Sequence, residues 1–185
     1  MNKRSTEIRN RIIEEANRLI YTKGYNQTSF ADIATAIGIT KGNLHYHFPS
    51  KDELLTSVID FRKTSISDML DDWEQSIADP KDKLRRFTKM LLNENENLAR
   101  YGCPMGSLNM ELGKQQLPLR EKSREMFDLF LSWLKNVFKQ LGKDQSYALH
   151  LLAMAQGAAL MSYAYADKKL LAKELAYIHE WIERL

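Results

Sequence analysis

Apolar residues recur along this chain with the period of a helix. Between residues 28 and 37, Phe30, Ile33, Ala34 and Ile37 fall at i, i+3, i+4 and i+7, one face of a helix. Thr28 or Ser29 can cap its start, and Gly38 supplies a residue that tolerates a left-handed backbone at its end. An earlier stripe, Ile8, Ile12, Ala16 and Leu19, predicts a helix that Ser5 or Thr6 could cap and Gly24 ends. After Gly38 comes a helix of about two turns. Its Leu44 and Phe48 lie four apart and share the inward face. Gly42 and Tyr46 then point the opposite way, with Asn43 and His45 on the flanks. Pro49 stops this helix. Ser50, with Glu53 three residues on, opens the next with a capping-box pattern. Residues 5–48 therefore read as a compact three-helix unit joined tightly to a long fourth helix.

The remainder is helical by the same reading. The fourth helix runs from Lys51 toward Asp79 on a stripe of Leu55, Ile59, Arg62, Ile66, Leu70, Trp73 and Ile77, and Asp79-Pro80 breaks it. A fifth, with Leu84, Phe87, Leu91 and Leu98, is expected to continue to Tyr101-Gly102. Cys103-Pro104 opens a short sixth that Gly113 ends. Leu117-Pro118 starts a seventh that runs to Gly142, Asp144 can cap an eighth, and residues 168–185 form a ninth. Nowhere is there sustained period-two alternation or a hairpin dipeptide between β-rich runs. The predicted fold is all-α with about nine helices.

Composition narrows the function. With 185 residues, 44% hydrophobic and 28% charged, the chain suits one or two globular domains. It has no apolar run of about 18 residues, so no membrane span is expected. Its start lacks the apolar core of a signal peptide, which makes the cytoplasm the expected location. One cysteine, Cys103, excludes an internal disulfide and offers no metal cluster. His45 and His47 are two apart and face different sides of a helix, so they do not form a metal pair. No nucleophile–base pattern or phosphate loop suggests an enzyme. Glu94, Glu96 and His150 qualify as catalytic candidates only by residue type, and no cofactor is expected. The net charge of +3 is uneven, because residues 1–51 hold eight Lys or Arg against four acids. A basic head is the layout expected of a phosphate-binding module.

Helix, glycine turn and short helix make the helix-turn-helix plan. An outward face of glycine, amide, imidazole and phenol suits base edges and phosphates. These residues resemble the TetR family of bacterial transcriptional regulators over about Thr6 to Leu55. The matching pieces are Ile12-Ile13-Glu14-Glu15-Ala16, Gly24-Tyr25-Asn26-Gln27-Thr28-Ser29, Ile33-Ala34, Gly38-Ile39-Thr40-Lys41-Gly42-Asn43-Leu44, His47-Phe48 and Ser50-Lys51-Asp52-Glu53-Leu54. The chain departs from the family at His45, where tyrosine is usual, and this bears on base preference.

The resemblance implies a DNA-binding domain at 1–49 and an effector-binding and dimerisation domain at 50–185. It implies that Lys41, Gly42, His45 and Tyr46 face bases or the groove wall of double-stranded operator DNA. Thr28, Ser29, Thr40, Asn43, His47 and Lys51 would hold phosphates. It further implies a homodimer through the last two helices, built on Ala155, Ala159, Leu171, Leu175, Ile178 and Ile182. Read without the family, those stripes fit an intramolecular core face equally well. A small-molecule effector pocket would be walled by Trp73, Phe87, Tyr101, Cys103, Met105, Phe127, Phe130, Trp133, Met154, Met161 and Tyr163, although aromatic and methionine stripes also serve as plain core. The family's common mode is repression relieved by the effector. The segment Tyr101-Gly102-Cys103-Pro104 resembles a Gly-Cys segment of a TetR subgroup, which implies an alternative in which Cys103, at a helix N-terminus, is the covalent sensor of electrophiles or oxidants.

Overall fold

The computed structural model describes residues 3–113 and 116–185. Among the described residues there are ten helices and no strand: α1 (Lys3–Lys23), α2 (Phe30–Ile37), α3 (Lys41–His47), α4 (Lys51–Ser76), α5 (Pro80–Asn93), α6 (Asn95–Tyr101), α7 (Pro104–Leu112), α8 (Leu117–Gln140), α9 (Tyr147–Ala164) and α10 (Lys168–Glu183). None of these helices is long and apolar enough to cross a membrane.

The chain forms two compact units. The first comprises residues 1–64 with 107–126, and the second comprises 65–106 with 127–185. This grouping by packing does not coincide with the boundary expected at 49/50.

In the first unit, α2 packs on α1 and α3. The apolar stripes converge as their spacing predicts: Ile12, Ala16 and Leu19 of α1, Phe30, Ile33 and Ala34 of α2, and Leu44 with Phe48 are all buried. Ser29 is the N-cap of α2 and shares a full capping box with Asp32. Gly38 takes the left-handed conformation, φ 71°, at its end. Ser50 caps α4 by accepting the Glu53 N–H at 3.1 Å. Arg62, the one basic residue on the α4 stripe, is buried and donates from Nε to Asn17 Oδ1 at 2.6 Å.

In the second unit, α10 packs on α9, α5 and α6, and α6 on α9. Their core is continuous with Leu70 and Trp73 of α4 and with Phe130, Trp133, Leu134, Val137 and Phe138 of α8. A buried ammonium lies at its edge. Lys83 donates to Glu74 Oε1 at 2.7 Å and to Gln140 Oε1 at 3.1 Å. Burial would raise the Glu74 carboxyl, but hydrogen bonds from Lys83 and Gln140 outweigh it and hold the group below its ordinary range.

Three local expectations need correction. The helix expected over 80–101 is two helices, broken at Glu94 in an asparagine-rich run where the Asn97 side chain donates to Glu94 Oε2 at 2.9 Å. Such side-chain bonds compete with the helix backbone. Ser5 and Thr6 lie inside α1, which already starts at Lys3. Asp144 is not the cap of α9: its carboxylate accepts the Ser146 N–H at 2.8 Å, a turn of its own, and Ser146 is the cap residue.

Gly38 gives a clean test of the turn. A Cβ added there meets nothing within 4 Å, so an alanine suffers only the left-handed backbone. Gly38→Ala is expected to cost about 1–2 kcal/mol. Asn should recover part of that loss, as followed by chemical unfolding.

Candidate nucleic-acid interface

α3 is too short to stand alone, and its geometry is set from beneath. Thr40 caps it by accepting the Asn43 N–H at 3.1 Å. Leu44 is fully buried, and Phe48 closes the end with its N–H on Leu44 O. Arg9 of α1 holds Phe48 from outside, with its guanidinium 4.8 Å from the ring centroid and a hydrogen bond to Ser57 Oγ at 2.9 Å. Arg11 donates to Ile37 O at 2.9 Å, at the C-terminal end of α2.

The other face of α3 is open. Lys41, Gly42, Asn43, His45 and Tyr46 are exposed, with Tyr46 at 80%. Gly42 has only Thr40 Oγ1 near its Cβ position, so a backbone or a base edge can come close. The His45 ring rests 4.8 Å from that of Phe30, and the half-buried His47 ring stands edge-on to Tyr46. The structure therefore gathers Thr40, Lys41, Gly42, Asn43, His45, Tyr46 and His47 on one short element. It is a largely exposed surface of donors, acceptors and one cation that suits a groove.

Two of the expected phosphate contacts look different in the fold. Thr28 is 1% exposed, and its hydroxyl donates inward to Gly24 O at 2.7 Å, so it is withdrawn from the set. Ser29 is exposed, but its hydroxyl donates to Asp32 Oδ2 at 2.6 Å, and these bonds hold the Asp32 carboxyl below its ordinary range. Lys51 is half-buried, its ammonium 4.2 Å from the centroid of the Tyr25 ring. Sequence reasoning missed what surrounds it. The Tyr25 phenol donates to Asp52 Oδ1, and the Tyr25 N–H donates to Glu111 Oε2, each at 2.6 Å. Burial first, then Asp52, raises the phenol's pKa well above its ordinary value. The only sequence hint was the pair of charges that follows Ser50, because Glu111 is 86 residues from Tyr25.

The comparisons with known proteins agree with this geometry. Residues 12–58 match the family model for bacterial regulatory proteins of the tetR family. The HTH-type transcriptional regulator LmrA of Bacillus subtilis (strain 168) is 30% identical over 162 residues, covering 83% of this chain and 85% of that protein. The chain belongs to the TetR family. A TetR transcriptional regulator from Legionella pneumophila has the same fold, with a TM-score of 0.83, 29% identity and 97% of each chain covered. A TetR-family regulator from Agrobacterium tumefaciens superposes with a TM-score of 0.85 at 24% identity, a likeness of fold. This TetR-family chain is thus a transcriptional regulator with a DNA-binding helix-turn-helix domain, and not an enzyme. Among the described residues, no group of three or more His, Cys, Asp or Glu is placed to hold a metal ion.

The other expected sites of this TetR-family chain lie in the second unit. Trp73, Phe87, Phe130 and Trp133 form one buried aromatic cluster, with Trp73 edge-on to Trp133 at 5.6 Å and Phe87 to Phe130 at 5.9 Å. Cys103, Met105, Phe127 and Met154 pack against it, half-buried. Tyr101 is half-buried, under the Arg100 guanidinium. Tyr163, 48% exposed, and Met161, 46% exposed, do not belong to this cluster. A groove of about 830 Å³ between α9 and α10 includes Met154, Met161 and none of the other expected effector residues.

The expected dimer residues need the clearest correction. Ala155, Ala159, Leu171, Leu175, Ile178 and Ile182 are each at most 4% exposed within a single chain. All six belong to the core formed within one chain, and of them only Ile178 also lines the groove between α9 and α10. The large exposed apolar side chains of the same two helices are Tyr147, Leu149, Leu160, Met161, Tyr163 and Tyr177.

Paired variants separate folding from reading. Thr28→Val is expected to cost about 1–3 kcal/mol of stability, because it strands the Gly24 carbonyl. Tyr46→Ala should leave stability within about 0.5 kcal/mol and weaken operator binding by about tenfold or more. Thermal unfolding and fluorescence anisotropy on labelled DNA read the two effects.

Proposed function

We propose that this chain is a homodimeric, cytoplasmic repressor that a small-molecule effector releases from its operator. The observation that carries the reading is the outward face of α3, anchored from below by Leu44 and Phe48 and bare above. In this reading Lys41, Gly42, His45 and Tyr46 enter the major groove, while Thr40, Asn43, His47 and Lys51 hold phosphates. Residues 1–49 make the DNA-binding part and 50–185 the effector and dimer part.

One short helix reads few base pairs, and a two-fold dimer doubles the contact over half-sites about 34–36 Å apart or a multiple of that. The outer face of α9 and α10 supports such pairing. α9 is apolar all round, with Ala148, Leu152, Ala155 and Ala159 turned inward while Leu149, Ala153, Gly157 and Leu160 are left exposed. A helix that is apolar all round is ordinarily covered on every side. Opposite it, Leu170, Tyr177 and Trp181 line the far wall of the groove. A second copy of the same pair of helices is a cover of matching chemistry.

The aromatic cluster around Trp73, Phe87, Phe130 and Trp133 is the proposed seat of the effector. Trp73 is on α4, which starts four residues after α3 ends, with Phe48, Pro49 and Ser50 between them. An effector that binds better to a state with α4 displaced draws the dimer away from DNA by that difference in affinity. A second reading makes Cys103 the input. Its Sγ accepts the Gly106 N–H at 3.5 Å at the first turn of α7. Electrophile addition to the wild type and to Cys103→Ser distinguishes the inputs: release in the first alone supports the cysteine.

Binding to DNA flanking its own gene, titrated with salt, tests the main reading; the absence of any sequence-specific complex would sink it. Gly157→Arg tests the dimer. A Cβ at Gly157 meets nothing within 4 Å, so the protomer should fold. The variant should sediment with the mass of one chain and lose about a hundredfold or more in operator affinity.

A further inference from the structure

Side chains from α4 and α7 meet within the first unit at Tyr25, which lies between α1 and α2. Its N–H binds Glu111 of α7, its phenol binds Asp52 in the first turn of α4, and its ring carries the ammonium of Lys51. Glu111 reaches this place because residue 24 is glycine. A Cβ on Gly24 would lie 2.5 Å from Glu111 Oε1, and the backbone there is left-handed with φ 93°. Burial lowers the pKa of Lys51 overall, and the charges of Glu111 and Asp52, both bound to Tyr25, work against that by favouring the ammonium.

Lys51 is also the cation proposed for a phosphate. Its ammonium cannot serve both partners fully, because reaching a phosphate means leaving the aromatic face and the field of Glu111. Asp52 lies on the same helix turn as Lys51 and travels with it. Glu111 comes from an element outside the DNA-reading helices, so its charge is an independent setting on the head.

We propose that Glu111 is a positioning residue that restrains operator affinity by holding the Lys51 ammonium over the Tyr25 ring, away from the DNA backbone. The proposal rests on the reading that Lys51 contacts a phosphate. Its consequence is a repressor whose grip is deliberately incomplete and so is released by a modest effector preference.

A double-mutant cycle on operator DNA tests it with the full-length protein. Glu111→Gln keeps an acceptor for the Tyr25 N–H and removes the charge. It should bind operator about fivefold tighter at low salt, the worth of one partly exposed charge pair, with the gain fading as salt rises. In a Lys51→Met background the same change should do nothing. Glu111→Asp, which keeps the charge but falls short of the N–H, should bind no tighter than wild type. Three results overturn the proposal: Glu111→Gln binding no tighter than wild type, a gain that survives in Lys51→Met, or an equal gain in Glu111→Asp. Failure of the underlying reading looks different. Wild type would then bind operator, Lys51→Met would leave affinity and salt slope unchanged, and the proposal would fall with it.

Discussion

A seven-residue helix does not form unaided in water, so the reading surface of this protein depends on what lies under α3. Leu44 and Phe48 supply that anchor, and both are almost wholly removed from solvent. Burying two such side chains contributes about 3–6 kcal/mol, against a helix whose own caps give about 1 kcal/mol each. The anchor also fixes the rotation of α3. Once two positions four apart face inward, Gly42 and Tyr46 must face out. The cations around it serve the same end, because Arg9 covers Phe48 and Arg11 caps the end of α2. These basic residues of the head are therefore partly structural, and net charge alone overstates how many are free to meet phosphates.

The second constraint is the double use of α9. Small residues let it lie close on α10 along one side, and an equally apolar set faces outward on the other. The inner seam holds the protomer together, while the outer face is left uncovered within one chain. Separating the two roles by face allows variants such as Gly157→Arg to address assembly without removing core.

Local features were legible in the sequence. The stripe at Phe30, Ile33 and Ala34, the glycine turn and the Ser50 cap were each set by neighbours within a few positions, and the motif run through Lys51-Asp52 carried the family. The rest was hidden for physical reasons. Periodicity finds an apolar stripe on α9 but does not say which side meets α10, because alanine and leucine occur all round it. A hydroxyl at Thr28 reads alike whether it points to DNA or to Gly24 O. The break at Glu94 comes from side-chain bonds that periodicity does not weigh. The cluster at Tyr25 needs Glu111, which only the folded chain brings near. The aromatic cluster around Trp73 was found as a set of residues, but whether it opens to admit a ligand is a matter of packing.

The central claim is that two copies of this α3, held at a fixed separation, read one face of a duplex. Hydroxyl-radical footprinting on DNA flanking the protein's own gene tests it most directly. The account predicts two protected patches related by a two-fold axis, centred about 34–36 Å apart or a multiple of that. A single patch, or uniform protection along the fragment, would contradict it.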